Sequence, residues 1–121
     1  MRAGVIGIGA MGMGVAKRLL ARGCAVSVRD VRREAEEEAR AAGAAVCAAP
    51  AEVAAACPVV VTLVVDARQT EEVVFGPRGV VEGMAPGGVL VMCSTVSPEF
   101  SGPLAARLGR HGILALDAPV S

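Results

Sequence analysis

Short apolar runs alternate with amphipathic stretches along the whole chain. The runs Ala3–Ile8, Ala25–Val28, Ala45–Ala48, Val59–Val65, Val89–Cys93 and Ile113–Leu116 have the length and composition of strands. Between them, Met11–Arg22, Arg33–Ala42, Ala51–Ala56 and Ala67–Val74 read as helices, and Val80–Met84 adds a further turn. Gly23, Gly43 and Gly112 stand where three helices should stop, and Pro50 opens a fourth. Ser97 resembles an N-cap with Pro98 at the first position of a helix running to Arg110. Gly102-Pro103 conflicts with that start, because Pro103 cannot donate to the carbonyl of Glu99. Either the first turn is irregular, or the helix begins late with Ser101 as its cap. Val59–Val65 is apolar on both faces, as a buried central parallel strand requires.

Strands alternating with helices imply an α/β fold. The expectation is a Rossmann-type doubly wound parallel sheet, strand order 3-2-1-4-5-6, with helices on both faces. The crevice between strands 1 and 4 would then gather the first loop and the tips that follow Val65 and Cys93.

That first loop carries the chemistry. Val5-Ile6-Gly7-Ile8-Gly9-Ala10-Met11-Gly12 is an apolar run ending in Gly-x-Gly-x-x-Gly and entering a helix. In such a unit Gly7 permits the tight turn, Gly9 lets a pyrophosphate reach bare backbone, and Gly12 lets the helix pack on the strand. The helix N-terminus presents free N–H groups and partial positive charge to phosphate. Asp30 ends the second strand 18 residues after Gly12, near the spacing at which a carboxylate accepts the adenosine ribose hydroxyls. The competing reading of Asp30 is a turn or helix-capping residue. A carboxylate there favours NAD over NADP, although Arg32 and Arg33 could hold a 2′-phosphate.

Composition narrows the classes. A chain of 121 residues makes one domain, small for a complete two-substrate enzyme. Twelve basic and twelve acidic residues cancel, and Trp and Tyr are absent, so neither nucleic acid nor a charged membrane is an expected partner. No run of 18 apolar residues exists, and glycines with Lys17-Arg18 break up any leader-like core, so neither a membrane span nor a leader is expected. Cys24, Cys47, Cys57 and Cys93 lack metal or redox spacing and read as buried reduced thiols, consistent with a cytoplasmic protein. The acidic run Glu34, Glu36, Glu37 and Glu38 reads as a solvated helix face. His111, the one histidine, falls at a helix C-terminus, where it complements the dipole.

Three motifs in order resemble the β-hydroxyacid dehydrogenase family. They are Gly7-x-Gly9-x-Met11-Gly12 with Ala16 and Leu19, then Ser94-Thr95-Val96, then Asp117-Ala118-Pro119-Val120-Ser121. The resemblance covers essentially the whole chain, and Thr62–Val65, Gln69-Thr70-Glu71 and Phe75-Gly76 refine it to one branch. It implies an NAD-dependent enzyme moving a hydride between NAD and a small hydroxy acid of the L-threonate or 3-hydroxyisobutyrate kind. Gly7, Ile8, Gly9, Ala10, Met11 and Gly12 would hold the pyrophosphate, and Asp30 and Val31 the adenosine ribose. Val64, Val65 and Gln69 would border the ribose and nicotinamide, Thr95 would meet the nicotinamide half, and Ser121 the substrate carboxylate. Asp66 departs from the Asn that the resemblance leads one to expect. The family's acid/base is a lysine in a helical second domain, expected beyond Ser121; Lys17, the single lysine here, lies in the first helix. These 121 residues are therefore expected to bind dinucleotide without turnover, as part of a full-length homo-oligomer. The alternative is a stand-alone, non-catalytic dinucleotide-binding or regulatory module.

Overall fold

The structure is a computed structural model and describes residues 1–63, 67–93 and 98–118. Six strands, β1 (Arg2–Ile6), β2 (Ala25–Arg29), β3 (Ala45–Val46), β4 (Val59–Thr62), β5 (Val89–Met92) and β6 (Leu114–Asp117), form one sheet. Every pairing is parallel and the order is β3-β2-β1-β4-β5-β6, as the sequence pattern predicts. The helices are α1 (Ala10–Ala21), α2 (Arg33–Ala41), α3 (Pro50–Ala56), α4 (Ala67–Phe75), α5 (Val80–Gly83) and α6 (Pro98–Gly109).

Local chemistry explains the helix boundaries. In α1 and α2 the chain passes the C-cap into Gly23 and Gly43 at φ +87° and +111°. Cys24 N–H then bonds Leu19 O and Ala44 N–H bonds Ala39 O, both at 3.0 Å, closing the last turn in the Schellman manner. In α2 the early acidic residues Glu34 and Glu36 face the positive end of the dipole, while Ala35 and Ala39, four apart, bury the inner stripe. The late start considered for α6 does not occur. The helix runs from Pro98 with Pro103 inside it, and Ser97 lies outside the described residues. Several strands also end one or more residues earlier than the apolar runs suggest, β1 at Ile6 rather than Ile8 and β3 at Val46 rather than Ala48. After β1 the apolar run continues because Ile8, in the loop, is buried in the core, whereas Ala48 after β3 is exposed.

Two cores fill the layers. Val5, Val26 and Val28 pack with Met13 and Ala16 of α1 and with Ala35 and Ala39 of α2. On the opposite face Ile6, Val60, Leu90 and Met92 pack with Val53, Val74, Val80, Leu104 and Leu108 from α3, α4, α5 and α6. Two close approaches lock α3 in place: a Cβ at Gly4 would fall 2.3 Å from Val53 Cγ1, and one at Gly83 would fall 1.9 Å from Ala51 O.

The helices do not cover both faces equally, which corrects the expectation for Val59–Val65. Val59, Val61, Val89 and Val91 are only half-buried, and Leu114 and Leu116 are 58% and 46% exposed. The parallel register aligns them in two rows, Val59–Val89–Leu114 and Val61–Val91–Leu116. Among the described residues no helix packs on this half of the α1–α2 face.

Of the four cysteines, which the sequence reads as buried thiols, only Cys57 is buried; Cys24, Cys47 and Cys93 are half-buried. Burial, with the charge of Glu52 nearby, raises the Cys47 thiol above its ordinary range despite a hydrogen bond with Ser27. Among the described residues no helix is long and apolar enough to cross a membrane, and no cluster of His, Cys, Asp and Glu could hold a metal ion.

Candidate dinucleotide-binding site

The glycine loop leaves β1 at the carboxyl edge of the sheet. Gly7 has φ +91°, its N–H donates to Arg29 O at 3.0 Å, and a Cβ there would lie 2.4 Å from Leu63 O. Only glycine fits that turn. Gly12 is fixed by packing, since its Cβ would lie 2.0 Å from Gly7 O. Gly9 differs from both. Its backbone is extended (φ −64°, ψ −168°), and the nearest atom to an added Cβ is Arg32 Nη2 at 3.7 Å. Nothing in the folded protein requires a glycine at position 9. Bare backbone there leaves room for a group from outside.

Gly9 is also the N-cap of α1. No side chain caps the helix, no acidic residue stands in its first turn, and Met13 N–H is the donor that reaches back to Gly9 O, at 2.8 Å. The N–H groups of Ala10, Met11 and Gly12 precede the first intrahelical bond and point out of the helix end. Uncapped donors at the positive end of a dipole suit an anion. Met11 is 52% exposed beside them, whereas the Ile8 side chain is buried in the core.

Asp30 closes the loop from the β2 side. Its side chain is 8% exposed. Oδ2 accepts the Ile8 N–H at 2.7 Å, and Oδ1 accepts the Arg32 N–H at 2.8 Å and Arg32 Nε at 3.3 Å. These bonds bear out the turn reading of Asp30: it forms a side-chain turn across Val31 and ties β2 to the glycine loop. Burial raises its pKa, but the backbone hydrogen bonds from Arg32 and Ile8 and the Arg32 guanidinium outweigh it, so the carboxyl is held below its ordinary value. Val31, next along, is 90% exposed at the same edge. A groove of 440 Å³ runs from Gly9 and Ala10 past Gly14 and Lys17 to Arg32 and Glu38.

Glu36 was not distinguishable in the acidic run. Unlike the exposed Glu34, Glu37 and Glu38, its side chain is 14% exposed. Oε2 accepts the Asp30 N–H at 3.2 Å and Arg29 Nη1 at 3.3 Å. The available sign was its position, three residues before buried Ala39 and so beside the inner stripe.

The other strand tips meet the same edge. Leu63 N–H bonds Ile6 O at 2.8 Å, Cys93 N–H bonds Thr62 O at 2.9 Å, and Ala118 N–H bonds Met92 O at 2.9 Å. The chain therefore leaves β4, β5 and β6 where it leaves β1. Gln69 is exposed in the first turn of α4. Val64, Val65, Asp66, Thr95 and Ser121 lie outside the described residues. Lys17 is an exposed surface cation paired with Glu38 at 2.9 Å. His111 is exposed after α6, its ring 6.3 Å from that of Phe75.

Comparison with known proteins agrees with this geometry. The family model for the NAD binding domain of 6-phosphogluconate dehydrogenase matches residues 2–121. L-threonate dehydrogenase of Cupriavidus necator is 49% identical over 118 residues, which are 98% of this chain and 40% of that protein. Mitochondrial 3-hydroxyisobutyrate dehydrogenase of Mus musculus is 34% identical over 98% of this chain and 35% of its own length. The crystal structure of 3-hydroxyisobutyrate dehydrogenase from Salmonella typhimurium superposes with a TM-score of 0.93 at 35% identity, covering all of this chain and 42% of that one. The chain spans about two-fifths of the length of such relatives. With its glycine loop, acidic strand tip and sheet order all in place, the chain belongs to the family of NAD-binding domains typified by that of 6-phosphogluconate dehydrogenase.

Proposed function

We propose that these residues bind NAD as the cofactor-binding part of a dehydrogenase that moves a hydride between NAD and a small hydroxy acid, L-threonate being the favoured substrate. The observation that carries the reading is Gly9, a glycine that the fold does not need, set at an uncapped helix N-terminus. The pyrophosphate lies on the N–H groups that open α1, and Asp30 accepts from the adenosine ribose with Val31 beside it. Asp30 is ionised at neutral pH, which repels a 2′-phosphate and favours NAD over NADP. The half-identity to L-threonate dehydrogenase supports the substrate. Val64, Val65 and Gln69 border the ribose and nicotinamide, Thr95 the nicotinamide half, and Ser121 the substrate carboxylate.

Bound NAD supplies the hydride acceptor; the protein must supply a base for the hydroxyl proton. Lys17 does not fit that role, being exposed and paired with Glu38 on the outer side of α1. The base is accordingly assigned to the further length that the relatives possess. Calorimetric titration of the 121-residue chain tests the reading. NAD should bind more tightly than NADP, and Gly9→Ala should weaken NAD at least tenfold while the melting temperature stays close to that of the parent. Equal affinities, or unaltered NAD binding by Gly9→Ala, would overturn it, and threonate oxidation by this chain alone would overturn the assignment of the base.

A further inference from the structure

We infer that Glu36 is a positioning residue for the dinucleotide site, acting through Asp30 without touching the ligand. The inference rests on the proposed NAD-binding reading for its functional consequence, but its structural content stands apart from it.

Two hydrogen bonds run in series from α2 to the glycine loop, and a third closes the turn between them. Glu36 Oε2 accepts the Asp30 N–H at 3.2 Å, Asp30 Oδ2 accepts the Ile8 N–H at 2.7 Å, and Asp30 Oδ1 accepts the Arg32 N–H at 2.8 Å. Asp30 is thus gripped at its backbone from one side and grips two backbone donors with its side chain on the other. Glu36 is itself held by Arg29 Nη1 at 3.3 Å, and its side chain is largely withdrawn from solvent. A half-buried carboxylate with two donors is well ordered, and such bonds to charged groups are stronger than neutral ones.

The consequence concerns both halves of the site. Without the Glu36 carboxylate, the Asp30 N–H loses its side-chain acceptor on α2, and the turn is tied to that helix only through Arg32, whose carbonyl accepts the Glu36 backbone N–H at 3.3 Å. Asp30 can then leave Ile8, freeing the N–H beside Gly9, and Arg32 is released with it. Arg32 reaches across the loop, with Nη2 3.7 Å from the Cβ position of Gly9. A released guanidinium there favours a 2′-phosphate, so loss of Glu36 should weaken NAD and narrow its preference over NADP.

The test uses Glu36→Ala, Glu36→Gln and, as a matched destabilised control, Ala39→Gly, which removes a buried methyl from the same helix away from Asp30. Amide hydrogen exchange of Ile8 in the ligand-free chain should be at least tenfold faster in Glu36→Ala and unchanged in Ala39→Gly, once each is referred to its own global stability. NAD affinity should fall about tenfold in Glu36→Ala, and the NAD-to-NADP ratio should drop with it. Glu36→Gln, which keeps an acceptor for the Asp30 N–H, should restore both to within about threefold. Unchanged Ile8 exchange in Glu36→Ala, or equal effects in Ala39→Gly, would overturn the inference. A parent chain that binds neither nucleotide would sink the NAD reading instead, while the exchange measurement still decides the role of Glu36.

Discussion

At the scale of single residues, Asp30 shows how a side chain proposed to meet a ligand is already committed to structure. Its carboxylate already accepts from Ile8 and Arg32, so the charge is stabilised before any nucleotide arrives. Its folded pKa lies below the unfolded value of about 3.9, so the proton binds more weakly in the native state. The resulting stability is present in full above about pH 4 and is lost as pH falls through the folded pKa. Asp30→Asn should therefore be less stable than the parent at pH 7, and the gap should narrow below pH 4. Urea unfolding midpoints at pH 7, 5 and 3 measure it; a constant gap would refute the linkage. The sequence made Asp30 visible through spacing alone. It could not show the Ile8 bond, because that bond depends on β1 and β2 lying side by side with Ile6 opposite Arg29.

At the scale of the element, α1 carries an unneeded cost. Gly14 sits mid-helix, exposed, and an added Cβ would meet nothing within 4 Å. Glycine in a helix interior is less favourable than alanine by about 0.8–1.0 kcal/mol. Gly14→Ala should accordingly raise the unfolding free energy by about 1 kcal/mol in denaturant titration. Because Gly14 lines the groove that starts at Gly9, the same variant also reports whether the nucleotide uses that wall. Helix stops were legible in advance. Gly23, Gly43 and Gly112 all adopt positive φ where the helices end, since the cap conformation is a local property that glycine tolerates best. Strand ends were less legible. Ile8 is as buried as a strand residue yet lies in the loop, so hydropathy cannot place the boundary.

At the scale of the whole molecule, the helices of the described residues leave half of one face uncovered. The chain winds from β1 out to β3, returns beside β1, and winds the other way to β6. Right-handed crossovers then place α1 and α2 on one face and the later helices on the other. The rows Val59–Val89–Leu114 and Val61–Val91–Leu116 remain as an apolar surface with no charge in it. With zero formal net charge there is little repulsion to oppose association. The 121-residue chain should bind a hydrophobic dye and self-associate weakly as concentration rises. Leu114→Lys with Leu116→Lys should reduce both, by fluorescence and by light scattering; undiminished association would place the contact elsewhere.

The sequence by itself determined the order of elements, the parallel doubly wound sheet, the glycine loop and the acidic strand tip. Each of these follows from short-range periodicity and from the few backbone conformations that glycine alone enters easily. Tertiary structure decided which of four neighbouring glutamates reaches Asp30, and which apolar positions of β4–β6 are covered. Those outcomes depend on how α2 rolls against the sheet and which face each crossover takes. Both are set by packing between segments far apart in the chain, which no local pattern encodes.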